Sequence, residues 1–126
     1  MEPGLALHKA ILATLKDGLS VPVYDAVPQG TSFPYVTVDT SITANADALV
    51  ERIDERFIFL HVWSQVRGQE EVLSIIGEID GLMHNNKLEL DDGYVVSIQV
   101  DRKMTRRDAD NVTFQGQVTL RVLTHH

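Results

Sequence analysis

The chain has 126 residues, of which 44% are hydrophobic and 23% charged, and its formal net charge is −7. This length suits one folded domain, and the composition is that of a globular protein rather than a disordered one. The negative charge argues against general nucleic-acid binding, which depends on Lys and Arg neutralising phosphates. No apolar run approaches the length of a membrane span and no secretion signal is recognisable, so we expect neither.

The N-terminal third of the chain predicts a helix, an edge segment and a strand. Apolar residues at helical spacing predict a first helix over Pro3–Lys16, and the short, proline-containing Val21–Asp25 is at most an edge segment. A strand is predicted over Phe33–Asp39. Residues 40–54 show no clean period, so we expect an exposed acidic loop there that contacts a partner, because connections this long are usually functional or disordered.

The stretch Glu55–Ser64 is rich in aromatic and β-branched residues and apolar on both alternating faces, which predicts a strand buried on both sides in the middle of a sheet. It leads into a helix whose apolar stripe runs from Val72 to Met83, with Glu70 and Glu71 at the N-terminus, where the helix dipole favours negative charge. Two glycines, Gly77 and Gly81, are expected to allow close packing of this helix. The central strand and this helix form the predicted core.

The C-terminal third predicts a short strand at Leu88–Leu90, a tight turn at Asp91–Gly93 and two long alternating strands over Tyr94–Met104 and Val112–Leu123. On the last strand, apolar residues from Val112 onward are expected to face inward and the Thr and Gln residues outward. A charged hairpin loop, Arg106–Asn111, is predicted between the two long strands. We expect these strands to form an antiparallel pair lying over the helices.

The predicted fold class is therefore α+β: a mostly antiparallel sheet of about four to five strands with two helices packed on one face. We expect residues 1–126 to form a single domain. The last two residues, His125 and His126, are either native or the start of a purification tag, and no function is assigned to them.

Charge is clustered in two places, which supply the candidate contact residues. Four of the eleven basic residues fall within residues 102–107, and the region 39–55 is mostly acidic. The candidates are Asp47, Glu51, Arg52, Asp54, Arg102, Lys103, Arg106 and Arg107. The competing interpretation is that both clusters are ordinary solvated surface.

No catalytic constellation is recognisable, and no residue is assigned to catalysis, a cofactor or a metal. The chain has no cysteine, no phosphate-binding glycine loop and no serine in a nucleophile elbow. We interpret His8 as a packing residue and His61 as a hydrogen-bonded core or interface residue. The alternative hypothesis is a small α+β ligand-binding domain or enzyme with a pocket near the central strand, using His61 and Trp63.

Four stretches resemble one known family, in the same order along the chain. They are Val23–Gly30 (VYDAVPQG), Phe33–Val36 (FPYV), His61–Ser64 (HVWS) and Asp108–Val122 (DADNVTFQGQVTLRV). Together they look like the tail-terminator, or tail-completion, proteins of long-tailed phages and phage-like gene transfer agents. The resemblance covers nearly the whole chain.

This resemblance implies a virion component without enzymatic activity or cofactor, assembled in the host cytoplasm. Such a protein is expected to form a homo-oligomeric ring of six copies that caps the head-proximal end of the tail tube. Its other partners would be the tail tube protein and the head-side connector or stopper protein. DNA would pass through the lumen without specific binding. A cytoplasmic assembly adaptor unrelated to phage is a third hypothesis.

The resemblance also gives the two charged clusters hypothetical roles. The acidic loop with Asp47, Glu51 and Asp54 would border the channel, where negative charge repels passing DNA. The basic residues Arg106 and Arg107 and their neighbours would pair with acidic groups on a neighbouring subunit or on the tube, which fixes partner choice more than affinity.

Overall fold

A computed structural model of the protein describes residues 2–47, 52–66, 68–90, 93–110 and 112–125. Its elements, in chain order, are α1 (Gly4–Gly18), β1 (Val23–Tyr24), β2 (Tyr35–Asn45), β3 (Ile53–Ser64), α2 (Glu70–Met83), β4 (Tyr94–Arg107) and β5 (Phe114–His125). The predicted tight turn includes Asp91 and Asp92, which lie outside the described residues.

The strands form one five-stranded sheet in the order β1-β2-β3-β5-β4. The first strand, β1, pairs with β2 in parallel, and every other neighbouring pair is antiparallel. Both helices contribute to the apolar core on the same side of the sheet. The predicted α+β class is confirmed, as are the central position of β3, the edge segment β1 and the bounds of α2.

The two faces of the sheet differ in burial. On β3, the residues from Asp54 to Ser64 at even positions are buried, and those at odd positions are half-buried. The even positions lie under the helices, and the odd positions belong to the other side of the sheet, which we call the open face. The prediction that β3 is buried on both sides is therefore wrong, because the described helices cover one side.

The core consists of the apolar stripes of both helices and the covered face of the sheet. Its fully buried members include Leu7, Ile11, Leu15, Val72, Ile79, Met83, Leu60, Val62, Val118 and Leu120. Burying each such side chain stabilises the fold by about 1.5–3 kcal/mol relative to leaving it exposed. Neither helix among the described residues is long and apolar enough to cross a membrane.

Close packing of α2 depends on a glycine of the sheet rather than on its own glycines. A Cβ atom at Gly116 of β5 would lie 2.6 Å from Val72 Cγ1 and 2.9 Å from Ile76 Cδ1. At Gly77 and Gly81 a Cβ atom would meet nothing within 4 Å. The expectation that Gly77 and Gly81 allow close helix packing is wrong. Gly116 has that role, because a side chain there would push α2 off the sheet.

Most of the predicted acidic loop is a β-hairpin. Thr40 to Asn45 continue β2, and the next strand begins at Ile53, with Asn45 paired to Asp54. We call the outer part of this hairpin, residues 41–47 and 52–57, the arm. Residues 41–47 are exposed, so no buried face imposes the alternation of polar and apolar residues by which a strand is recognised. For this reason the sequence pattern predicted a loop.

Three further predictions about the C-terminal third need correction. Leu88–Leu90 is not in a strand, although Leu88 and Leu90 pack against the core. Val112 precedes β5 and is exposed, whereas Thr113, Gln115 and Thr119 are buried. The strand β4 extends to Arg107, so the hairpin loop begins later than predicted.

Candidate assembly surfaces

The four basic candidates lie on a strand at the edge of the sheet. We call this segment of β4, Arg102–Arg107, the basic strand. The register pairs Arg102 with Thr119 and Arg106 with Gln115 on the open face, and pairs Lys103 with Val118 and Arg107 with Phe114 on the helix side. Arg106 and Arg107, which were predicted in the hairpin loop, therefore belong to the strand, and the four cations divide equally between its two faces.

Local contacts hold the basic strand without burying its charges. Lys103 forms an ion pair with Asp80 of α2, and the Arg107 guanidinium carbon lies 5.2 Å from the centre of the Phe114 ring. Arg106 lies 3.7 Å from Asp108, measured from Nη2 to Oδ1. All four basic side chains remain exposed. They are available to a partner.

The acidic candidates of the arm behave differently. Asp47 is exposed, and its Oδ1 accepts a hydrogen bond of 3.0 Å from the backbone N–H of Ile53. The Asp54 side chain is only 7% exposed and lies 3.3 Å from the Arg56 guanidinium. Asp54 thus cannot border a channel, contrary to the sequence interpretation. Arg52 is exposed, and Glu51 lies outside the described residues.

Arg56 forms a buried polar network that the sequence analysis did not assign. Its Nε donates to Thr124 Oγ1 at 3.0 Å, and its terminal nitrogens contact Asp54 and Glu2 and lie 3.4 Å from Thr43 Oγ1. A buried guanidinium requires such partners. The sequence signal that could have indicated this burial is the position of Arg56 on β3. It lies two residues before Ile58 and therefore on the same, covered face.

The open face carries a cluster of rings and a short chain of hydrogen bonds. Trp63 Nε1 donates to Thr37 Oγ1 at 3.2 Å, and Thr37 Oγ1 donates to Asp39 Oδ2 at 2.8 Å. The same Asp39 oxygen contacts His61 Nδ1. Burial and the Asp39 carboxylate raise the pKa of Tyr35, whose ring packs at 6.4 Å from the indole. His61 and Trp63 thus have partners within the sheet.

The turn between β4 and β5 is organised by Asp110. Its Oδ1 accepts hydrogen bonds from the backbone N–H groups of Val112 and Thr113 at 2.9 and 2.8 Å, and its Oδ2 accepts one from the Thr113 hydroxyl. These bonds favour the carboxylate over the acid. They hold the pKa of Asp110 below its ordinary value, with the Thr113 backbone bond the largest cause.

One cavity of about 330 Å³ lies between the N-terminus of α1 and strands β2 and β3, and Leu7, His8, Val38 and Arg56 line part of it. Neither His61 nor Trp63 lines this cavity. In the part of the chain that the structure describes, no group of three or more His, Asp or Glu residues is placed to hold a metal ion. The exposed features described above are a strand edge, an arm and a sheet face.

The fold is also found in a virus-like particle. A chain from a structure titled "Virion of native gene transfer agent (GTA) particle" superimposes with a TM-score of 0.89 at 19% sequence identity, over 98% of this chain and 98% of that one. At this identity the likeness shows the fold. No curated protein matches the sequence. The fold thus defines an α+β domain of the kind found in that particle.

A sequence profile identifies the family. The profile described as tail completion protein gp17 matches residues 5–125, which is nearly the whole chain. The protein belongs to this family, and it is a structural component of the phage tail and thus of the virion. This confirms the resemblance inferred from the four sequence stretches.

Proposed function

We propose that the protein closes the head-proximal end of the tail tube as a ring of six copies and joins it to the head-side connector. The family match over residues 5–125 carries this proposal, because completing a tail means acting at an end of the tube. The near-complete overlap with a chain of a virion particle supports it at the level of fold.

The charges of the described surfaces are consistent with this function. A tail terminator must contact its neighbours and the tube while DNA passes, so its contacts have to be specific without attracting phosphates. The net charge of −7 disfavours DNA binding, and four of the eight exposed cations among the described residues lie on the basic strand. We assign the basic strand to protein contact. Asp47 of the arm is assigned to the border of the channel.

The proposal is tested by measuring mass in solution with light scattering, first on the purified protein and then with polymerised tail tube protein. Six-subunit particles, or monomers that form ring-shaped caps on tube ends in electron micrographs, are the expected results. A monomer or dimer that leaves tube ends bare at every concentration would contradict the proposal.

A charge-reversal pair tests the role of the basic strand in this function. We expect Arg106→Glu with Arg107→Glu to weaken ring formation or tube capping, because two attractive contacts become repulsive. The matched control is Lys9→Glu with Lys16→Glu on the exposed side of α1, which makes the same change in net charge. Equal capping by both double variants would exclude the basic strand.

A further inference from the structure

We propose that neighbouring copies of this chain join edge to edge, with the basic strand of one copy pairing antiparallel to the β1–β2 edge of the next. This inference rests on the proposed ring and names the surfaces that close it. The sheet would then continue from subunit to subunit instead of ending at two exposed edges.

The two edges differ in how much of their backbone is already paired. On β4, the connection after α2 covers the middle of the outer edge: Asn85 N–H donates to the Ile98 carbonyl at 2.9 Å, and Val100 N–H donates to His84 Nδ1 at 3.0 Å. A register shift follows between Val100 and Arg102. The segment beyond it is the basic strand, whose outer edge has no neighbouring strand among the residues that the structure describes.

The opposite edge of the sheet is formed by β1 and β2. The short β1 pairs only with Val36 and Thr37, so β2 itself forms the edge from Val38 to Asn45. Unpaired strand edges are ready templates for further pairing, and proteins usually block them unless a partner covers them. The chain therefore has one available edge on each side.

Strand directions make the two edges compatible. Each of the steps from β2 to β3, β3 to β5 and β5 to β4 is antiparallel, so β4 runs opposite to β2 and to its parallel neighbour β1. When a second copy is placed beside the first in the same orientation, its β1–β2 edge lies antiparallel to β4. Antiparallel pairing is the more common and slightly more stable ladder.

The charges of the two edges are complementary at the same level along the strand direction. One row of paired residues runs from Tyr24 through Thr37, His61 and Gln117 to Met104. At the β1 end of this row lie Asp25, which is 62% exposed and lies 3.2 Å from His8 Nε2, and Asp39, which contacts His61. At the β4 end lie the cations of the basic strand, of which Lys103 is paired with Asp80. Edge-to-edge contact between copies brings opposite charges together.

The same charges disfavour the simplest alternative, a two-fold dimer through β4. Pairing two basic strands would place four cations against four cations, and like charges across strands are destabilising. A contact between two different edges is head-to-tail, and such contacts generate rings when the rotation closes. The charge pattern thus favours a ring over a dimer.

Cysteine cross-linking tests the proposal, because the chain has no cysteine of its own. One anchor cysteine replaces Tyr24 or Ile42, both of which the register places on the open face. It is combined in turn with a single cysteine at each position from Arg102 to Arg106, and the ring fraction is oxidised and analysed without reductant. A disulfide needs Cβ atoms about 3.5–4.5 Å apart, so the cross-link reports strand register.

With a given anchor we expect covalent ladders of copies at one of the open-face positions, Arg102, Met104 or Arg106, whichever the register places opposite it, and weak cross-linking at Lys103 and Thr105, because successive side chains point to opposite faces. The comparison between the Tyr24 and Ile42 anchors gives the shift between subunits. As a control, an anchor at Leu73, which is exposed on α2, should not cross-link to these positions.

A charge exchange provides a second measurement that does not depend on disulfide geometry. Arg106→Glu should raise the concentration needed for ring formation about tenfold. Adding Asp25→Arg should bring this concentration most of the way back to that of the parent. Lys9→Glu serves as the matched control on α1.

The outcomes separate the two proposals. Rings of the expected mass that give no cross-link at an open-face position with either anchor would overturn the edge pairing and leave the terminator function standing. Failure to form rings or caps under any condition would overturn both. A cross-link in the ring fraction that is confined to open-face positions supports the edge pairing.

Discussion

The arm and the basic strand are both strand segments in hairpins with clustered charge, but the fold uses their charges differently. In the arm, Asp54 is buried against Arg56, and Asp47 accepts a hydrogen bond from the backbone of its own hairpin. In the basic strand, Arg102 and Arg106 stay exposed at the sheet edge. The arm uses these two acids to hold its own structure, whereas the basic strand keeps its charges available to a partner.

This difference shows that clustered charge in a sequence does not by itself indicate a contact surface. Whether a charged side chain is available depends on the face and row of the sheet that it occupies. Substitutions at Asp54 and Arg56 of the arm should therefore change mainly the free energy of unfolding. Those in the basic strand should change mainly assembly.

The largest effect is expected for Arg56→Ala. This substitution leaves the Asp54 carboxylate buried without its cation, so we expect a loss of about 3–5 kcal/mol in the free energy of unfolding, measured by urea denaturation. The double variant Arg56→Met with Asp54→Leu should recover most of the loss, because no uncompensated charge remains. If Arg56→Ala is as stable as the parent, the buried pair of Arg56 and Asp54 has no structural role in the arm.

A smaller effect is expected for Asp47→Ala, which removes the acceptor for Ile53 N–H in the arm. The expected loss is about 1 kcal/mol in the free energy of unfolding, typical of one hydrogen bond. Asp47→Asn retains an acceptor oxygen and should lose less. If Arg52→Ala, at a neighbouring exposed position, costs as much as Asp47→Ala, the hydrogen bond is not the cause.

Within the basic strand, Arg107→Ala should cost about 0.5–1 kcal/mol of stability, because it removes the guanidinium from the Phe114 ring. The paired substitution Arg102→Ala should stay within about 0.5 kcal/mol of the parent, as surface changes usually do. Thermal and urea denaturation of both variants as monomers would check this. A larger loss of stability for Arg102→Ala than for Arg107→Ala would contradict the assigned contacts.

The smallest effect concerns the turn that follows the basic strand. Because the pKa of Asp110 is lowered in the folded protein, its contribution is present above its unfolded pKa of about 3.9 and is lost as the pH falls through the folded value. The urea midpoint of the parent should therefore exceed that of Asp110→Asn by a constant amount above about pH 5. The difference should shrink below about pH 4. A difference that is constant across both ranges would exclude the titration of this group.

Much of the fold follows from local pattern. The apolar stripe of α2, the acidic residues at its N-terminus and the helix end at His84, where Asn85 adopts a φ of 58°, are encoded within a few turns of chain. The run of aromatic and β-branched residues in β3 predicted the middle of the sheet. These features depend on neighbours in sequence, so the sequence alone is sufficient to predict them.

The contact surfaces were less predictable. Residues 41–47 of the arm are exposed, so this strand lacks the alternation that marks β-structure. The charges of the basic strand give no sign of where that strand ends. The cluster of aromatic side chains on the open face and the contact between Asp39 and His61 join residues far apart in sequence. They are brought together by the register of β2 with β3. A single sequence does not specify such a register directly.

The sequence by itself therefore determined the fold class, the position of the central strand and helix, and the family, because short-range periodicity and short motifs carry that information. Only the tertiary structure decided which charges are buried, as at Asp54, and which remain exposed, as at Arg106. Burial and pairing are set by which strands lie side by side, and that order is a property of the assembled sheet.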